Sequence, residues 1–462
     1  MIEILTISLL FLIPGFIILE LSPTDAKGKY LLAPYLSFGY FNFLSIVLFL
    51  FDISGINYWF YVLSLVPLLF IFKLRLNLDM IKNFTFIFIL FRFFDTILNF
   101  FTLISLPGNT NNTFDEVYRL YNFGSEQLNI GLIPLPMFTS GLFTNLDFSV
   151  TIINIFFLQF IFISIFTILN ISKNIQHVIV TVLFLITNLA IFEVFYELVS
   201  YRSHSLTASS FMVLFVYFHK DFNLNSQKVI IFFAIFLLFN SRLENILFGY
   251  LYLFSLVLLN RKKFIVYKKI SIFASVLAGL YMVLIPRTNP QEDLRSSNIF
   301  ILLVVLVGLI LINYEFINPK LFVYSSVLFT FIYLVVMYIV SSDIFLSVTA
   351  LTFTKVLDPN SGYGLQFLFF MIIYIYVCSQ STTISHLFSS YMLFILSINF
   401  LIGFLQTFIY QGQASIEYIE NLSIFNPLDL STFRGSVQTL SVLWIIAATA
   451  FNEDKYTKKS KD

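Results

Sequence analysis

Apolar residues occur in long runs along the chain, and short polar stretches separate one run from the next. About fifteen runs approach the roughly 20 residues that span a bilayer as a helix. They cover residues 2–20, 30–51, 57–74, 83–106, 148–170, 177–197, 205–219, 228–240, 245–259, 270–286, 299–313, 321–341, 364–379, 387–409 and 437–451. The pattern predicts an all-α, polytopic integral membrane protein with 13–15 transmembrane helices in one transmembrane domain, 1–462.

The first long polar interruption is residues 107–147. It divides the chain into N-terminal helices at 1–106, this loop at 107–147, and the remaining helices at 148–462. Thr113 is followed three residues later by Glu116, a capping-box pattern that predicts the start of a helix. Apolar and aromatic side chains then recur at helical spacing. The loop is therefore predicted to hold an interfacial helix with Asp115 and Glu116 in its first turn.

Composition agrees with this interpretation. Hydrophobic residues make up 59% of the chain, charged residues 11%, and the mean hydropathy is +0.91, against roughly 45–50% apolar and about 25% charged in soluble domains. The net charge of +1 offers no basic surface for nucleic acid. The single cysteine, Cys378, lies in an apolar run and excludes an internal disulfide. The start lacks the basic region of a signal peptide, so the first apolar run is expected to be retained.

Basic residues indicate an orientation. With the N-terminus outside, 18 of the 26 Lys and Arg residues fall on inner connections, as the positive-inside rule requires. This arrangement puts 107–147 and 410–436 on the outer face. The basic residues left outside are mostly Arg, whose guanidinium binds phosphate oxygens bidentately. They are Arg119, Arg202, Arg242, Arg287, Arg295, Lys355 and Arg434.

Three segments resemble known bacterial membrane proteins. The stretches FDEVYRLYNFGSEQLN and PLPMFTSGLF in the 107–147 loop resemble the first outer loop of GT-C fold glycosyltransferases that use polyprenyl-phosphate sugars. Asn240-Ser-Arg-Leu-Glu-Asn245 resembles a recurring Arg-x-Glu element of bacterial members. The N-terminal LLFLIPGFIILELSPTDAKGKYLLAPYLSFGY is similar to a Pro-Gly-containing leader of proteins of cell-surface assembly. The acidic motif follows four apolar runs instead of one, which implies an extra N-terminal transmembrane region.

The resemblance implies a glycosyltransferase of the bacterial inner membrane. Such an enzyme moves a hexose or pentose, with inversion, from a polyprenyl-phosphate donor to a glycan or lipid acceptor at the outer face. Asp115 is the candidate base, because the first turn of a helix favours the ionised carboxylate; Glu116 either shares this role or caps the helix. The leaving phosphate needs preorganised positive charge, for which the candidates are Arg242, Arg287, Arg295 and Arg434. Further acidic candidates are Asp147, Glu197 and Glu244.

Two smaller expectations concern charges. No spacing of His, Cys and carboxylates indicates a transition-metal site, while Asp115 with another outer carboxylate is compatible with a divalent cation such as Mg²⁺ or Mn²⁺. Arg92 and Asp95 lie three residues apart inside an apolar run, so they are expected to pair on one helix face. The alternative is that Asp95 lines a cavity beneath the 107–147 loop.

Three functions remain open on these residues. The first is the lipid-linked-sugar glycosyltransferase just described. The second is an O-antigen-type polysaccharide polymerase or ligase, which would use 410–436 as its main outer loop. The third is a transporter or flippase for a lipid-linked glycan. A transporter predicts internal repeats or matching helix breaks in two halves, and the sequence has neither.

Overall fold

Nine helices of 14 residues or more lie in the part of the chain that the structure, a computed structural model, describes. This part comprises residues 2–22, 24–50, 66–70, 78–105, 147–172, 202–220, 227–241, 261–284, 298–313 and 319–343, with scattered positions at 175–186, 222, 245–256 and 345–350. The helices are α1 Ile2–Leu21, α2 Ala33–Leu50, α3 Leu78–Ser105, α4 Asp147–Ile171, α5 Arg202–His219, α6 Lys228–Ser241, α7 Arg261–Leu284, α8 Asn298–Asn313 and α9 Pro319–Val340. A 3₁₀ turn at Lys29–Leu32 leads into α2, a short helix covers Val66–Leu69, and these ranges contain no strand.

The helical class and the positions of the helices are confirmed. Each of the nine helices overlaps one predicted apolar run. The largest shift is at α7, which begins at Arg261 whereas the run begins at 270. Arg and Lys are good helix formers, so a helix can extend past the apolar run that marks it. The runs at 364–379, 387–409 and 437–451 lie outside the described residues, as does the predicted helix after Thr113.

The prediction of 13–15 transmembrane helices is wrong. Among the nine helices described, none combines the length and the apolarity needed to cross a bilayer. Helix α6 has 14 residues, about 21 Å at 1.5 Å per residue, against a hydrocarbon core of about 30 Å. Helix α3 carries four charged side chains, Asp79, Lys82, Arg92 and Asp95.

The physical reason is visible in α6. From Ile230 to Phe239 its apolar side chains are buried around the whole helix, except Phe232, which is half-buried. A helix that is hydrophobic on all sides is buried either by lipid or by the core of a large protein, and the sequence pattern is the same in both cases. Here α6 packs against α2, α5 and α7. The apolar run at 228–240 therefore indicates a buried helix, and its interpretation as a bilayer crossing is wrong.

Helices α1 and α2 form an antiparallel pair around the Pro-Gly sequence. The Phe11 and Phe41 rings meet edge to face at 6.1 Å, and the Gly15 N–H donates to Ser37 Oγ at 2.8 Å. A Cβ on Gly15 would lie 1.9 Å from the Ala33 carbonyl oxygen, so only glycine permits this crossing. The Pro-Gly sequence thus marks the closest approach of the first two helices.

Helices α4, α5 and α6 are aligned by a few side-chain contacts. Ser164 Oγ lies 3.8 Å from Met212 Sδ, and the Phe166 ring stacks on Tyr217 at 6.2 Å. From the first contact to the second, the residue number rises in both helices, from 164 to 166 in α4 and from 212 to 217 in α5. The two helices therefore run in the same direction. Helix α6 returns, because Ser241 at its end contacts the first half of α5. Helix α7 starts beside the start of α6, where the Tyr267 hydroxyl donates to Gln227 Oε1 at 3.1 Å.

These directions give the described bundle two chemically different ends. One, which we call the lysine end, holds the α1–α2 connection, the starts of α3, α6 and α7, and the ends of α4 and α5. Its described lysines are Lys27, Lys29, Lys82, Lys220, Lys228, Lys262, Lys268 and Lys269. The opposite end holds the starts of α4 and α5, at Asp147 and Arg202, and the end of α6 at Ser241.

Candidate functional site

A buried cluster of three polar side chains joins α5 to the end of α6 and the segment after it. Thr207 Oγ1 and Ser241 Oγ are 2.7 Å apart. The Asn245 amide donates to Thr207 Oγ1 at 2.7 Å and also to Ser241 Oγ. All three residues are at most 2% exposed. We call Thr207, Ser241 and Asn245 the polar junction.

The polar junction is also bonded to the backbone of α6. The Ser241 hydroxyl donates to the Leu238 carbonyl at 2.9 Å, which satisfies one of the carbonyls left open at the end of a helix. The Asn245 amide donates to both Thr207 Oγ1 and Ser241 Oγ, while Asn245 Oδ1 is buried and has no hydrogen-bond partner in the described part of the chain. These bonds link α5 to the end of α6 and to the segment after it.

The polar junction brackets the Arg-x-Glu element. Ser241 precedes Arg242, and Asn245 follows Glu244. Arg242, Leu243 and Glu244 lie outside the described residues, and the residues on both sides of them, Ser241 and Asn245, bond to Thr207. Asn240, immediately before the junction, is fully buried, and within the described part of the chain neither atom of its amide has a hydrogen-bond partner.

The start of α5 lies at the same end of the bundle. Helix α5 begins at Arg202, five residues or about 7.5 Å along the axis from Thr207. The first turn of a helix presents free N–H groups and a partial positive charge, which favour anions. The chain therefore places the arginine position 202 at a positive helix end. This arrangement is suited to an anionic group such as phosphate.

The structure does not describe the side chains of the other predicted site residues. Asp147 is the first residue of α4 and lies at the same end of the bundle as Arg202, while its side chain is not described. Asp115, Glu116, Glu197, Arg287, Arg295 and Arg434 lie outside the described residues. Within the described part, no group of three or more His, Cys, Asp or Glu residues could hold a metal ion.

The predicted pairing of Arg92 with Asp95 is confirmed. Arg92 Nη1 lies 2.5 Å from Asp95 Oδ2, and the same nitrogen donates to Ser8 Oγ of α1 at 3.2 Å. The side chain of Asp95 is fully buried and that of Arg92 is 27% exposed. The pair connects α3 to α1 and is structural in the described part of the chain.

Sequence reasoning missed Thr207 and Asn245. The available signal was the segment Ser203–Ser210, which has five hydroxyl residues in eight positions at the start of an apolar run. In the structure Ser205, Thr207, Ser209 and Ser210 are all fully buried. Ser209 and Ser210 donate to carbonyls of their own helix, Ser210 also contacts the Tyr35 hydroxyl of α2 at 2.7 Å, and Thr207 joins α5 to Ser241 and Asn245. A count of hydroxyls could not have distinguished it.

The resemblance to GT-C glycosyltransferases finds no independent support. Comparison of the chain with protein-family models, curated proteins and solved structures gave no match.

Proposed function

We propose that this chain is a glycosyltransferase that transfers a sugar from a polyprenyl-phosphate donor to a glycan or lipid acceptor at the outer face of the bacterial inner membrane. Arg242 binds the donor phosphate, and Asp115 deprotonates the acceptor hydroxyl. Arg287, Arg295 and Arg434 are the other candidate phosphate ligands. The polar junction supports this function most directly, because it holds Ser241 and Asn245, the residues on either side of the Arg-x-Glu element in the sequence.

The polar junction supports a phosphate site for an electrostatic reason. Phosphate leaves the sugar as negative charge develops on it, and positive groups that are already in place stabilise that charge without rearrangement. The junction bonds hold Ser241 and Asn245, which flank the Arg-x-Glu element in the sequence. The N-terminus of α5 adds a partial positive charge at the same end.

A lipid-linked donor is supported by exposed apolar surface on α8 and α9. Leu302, Leu303, Leu306, Val307 and Ile310 are each 51–55% exposed along one face of α8. Helix α9 exposes Leu328, Phe331 and Ile332 to a similar degree. Contiguous exposed apolar surface of this kind marks contact with a lipid or another apolar partner. A polyprenyl chain and the lipids around it supply such a partner.

Donor binding by arginine variants tests the phosphate site. Arg242→Lys keeps the charge but loses the bidentate fork, so we expect it to weaken binding of a polyprenyl-phosphate sugar by about tenfold, or 1.4 kcal/mol. Binding is measured by titration of the full-length chain. Arg287→Lys, Arg295→Lys and Arg434→Lys are the comparison set.

The result separates two assignments. Loss of affinity in Arg242→Lys alone supports the polar junction as the phosphate site. Loss in one of the other three variants moves the phosphate to that arginine, and parental affinity in all four removes arginine recognition of the donor from the proposal.

A further inference from the structure

A cleft of about 530 Å³ opens at the lysine end of the bundle, away from the polar junction. It lies between the α1–α2 connection, the first half of α3 and the last turns of α4. Its volume is within the roughly 300–1,000 Å³ of small-molecule sites. The proposed glycosyl transfer makes no use of it.

The α1–α2 connection is held in place beside the cleft by one asparagine. The Lys27 N–H donates to Asn170 Oδ1 at 3.0 Å, and Asn170 Nδ2 donates back to the Lys27 carbonyl at 2.9 Å. Gly28 then adopts a left-handed conformation with φ 64°, and a Cβ there would lie 2.9 Å from Leu169 Cδ1. These contacts fix where the chain turns toward Lys29. The position of Lys29 in the cleft is therefore built by the fold.

The cleft has an apolar wall and a polar rim. The wall is formed by Phe86, Ile87 and Leu90 of α3 with Ile165 and Leu169 of α4. The rim includes Asp25 and Lys29, one negative and one positive side chain. An apolar wall together with charged side chains matches a molecule with an alkyl chain and a charged head.

The two charges of the rim do not neutralise each other. Both side chains are described, and they form no salt bridge with each other within 4 Å. The Lys29 ammonium lies 4.9 Å from the centre of the Tyr30 ring. The Tyr30 hydroxyl donates to Glu20 at 2.6 Å, and burial together with this bond raises its pKa to about 12. Tyr30 is therefore neutral at physiological pH, and Asp25 and Lys29 set the charge pattern that a ligand meets.

The geometry points to a binding site for a single-chain amphiphile with a zwitterionic head, in which Lys29 faces the anionic group and Asp25 the cationic group. An amphiphile with only an anionic head would meet the Asp25 carboxylate, and one with only a cationic head would meet the Lys29 ammonium. A zwitterionic head places an opposite charge beside each of the two side chains. This charge complementarity favours a zwitterionic amphiphile over either alternative. The site is independent of the proposed function.

Three decyl amphiphiles with different heads test the site. Decylphosphocholine, decyl phosphate and decyltrimethylammonium are titrated calorimetrically, below their micellar concentrations, into the full-length chain in a neutral maltoside. The parent binds decylphosphocholine at least about threefold more tightly than the other two, a factor typical of partly exposed charge pairs. Asp25→Asn shifts the preference toward decyl phosphate, and Lys29→Gln shifts it toward decyltrimethylammonium, each by about the same factor.

Matched controls are available on α3. Phe86→Ala removes part of the wall and weakens the binding of all three amphiphiles. Phe93→Ala, on the same helix but outside the cleft, leaves their binding unchanged. The two side chains are similarly exposed, at 64% and 58%. Lys82→Gln removes a lysine outside the cleft and leaves the head preference unchanged. Equal binding of the three heads by the parent overturns the proposal. So does a preference that Asp25→Asn and Lys29→Gln alter no more than Lys82→Gln, or equal effects of Phe86→Ala and Phe93→Ala.

Discussion

Asp95 places a carboxylate completely inside the described core, and Arg92 is the residue that makes this possible. The guanidinium pairs with Asp95 at 2.5 Å and reaches Ser8 on α1. Taking a carboxylate out of water is strongly unfavourable unless a partner compensates its charge. Because the two residues lie on one face of α3, the partner is in place as soon as the helix forms.

Removing only Arg92 should therefore be more harmful than removing the whole pair. Arg92→Met leaves the buried carboxylate uncompensated, and we expect the free energy of unfolding to fall by about 3 kcal/mol. The double variant Arg92→Met/Asp95→Leu leaves no buried charge and should lose much less. Denaturant unfolding of the parent, both single variants and the double variant measures this. A double variant that is no more stable than Arg92→Met would show that the pair does more than neutralise Asp95.

At the scale of elements, the polar junction joins α5 to the end of α6 at the end of the bundle opposite the lysine end. Thr207 is its central residue, because its hydroxyl shares a hydrogen bond with Ser241 and accepts one from Asn245. Thr207 also lies one and a half turns from Arg202, at the positive end of α5. A change in Thr207 should consequently alter both stability and the position of the Arg-x-Glu element.

Thr207→Val tests this link because valine keeps the shape and removes the hydroxyl. Loss of the junction bonds should destabilise the protein by about 1–1.5 kcal/mol and weaken polyprenyl-phosphate-sugar binding by up to about tenfold. The matched control is Thr167→Val in α4, also fully buried, whose hydroxyl donates only to the Ile163 carbonyl of its own helix at 2.7 Å. It should lose stability without losing donor affinity. Equal loss of donor affinity in both variants would contradict a specific role for the junction.

At the scale of the whole molecule, the two ends of the described bundle have separate chemistry. The lysine end carries the amphiphile cleft with Asp25 and Lys29. The opposite end carries the polar junction, the start of α5 at Arg202 and the start of α4 at Asp147. This separation follows from helix directions, which are set by contacts such as those between Ser164 and Met212 or between Tyr267 and Gln227.

How far the sequence could predict this structure depends on the range of the contacts. Helix positions followed from apolar runs, because an apolar run needs burial wherever it lies. The pairing of Arg92 with Asp95 followed from a spacing of three within one helix. The polar junction joins Thr207 to Ser241, 34 residues apart, and depends on how two helices pack, which periodicity does not contain. The prediction of membrane-spanning helices was wrong because a helix such as α6 has the same apolar sequence pattern whether a protein core or lipid buries it.

The chemical step is the most direct test of the proposed function. Sugar transfer is followed from a panel of radiolabelled polyprenyl-phosphate sugars to acceptors in a bacterial membrane fraction, with the parent, Asp115→Asn and Glu116→Gln. Loss of a general base typically slows a reaction by about 10²–10⁴-fold, so Asp115→Asn should bind donor like the parent while turnover falls by this factor. Glu116→Gln can still close the capping box and should be milder.

The account predicts transfer by the parent from at least one donor, and its collapse in Asp115→Asn with donor binding retained. Near-parental turnover by Asp115→Asn would contradict the assignment of the base and return Asp115 to helix capping. Absence of transfer by the parent from every donor of the panel would contradict the proposed glycosyl transfer itself.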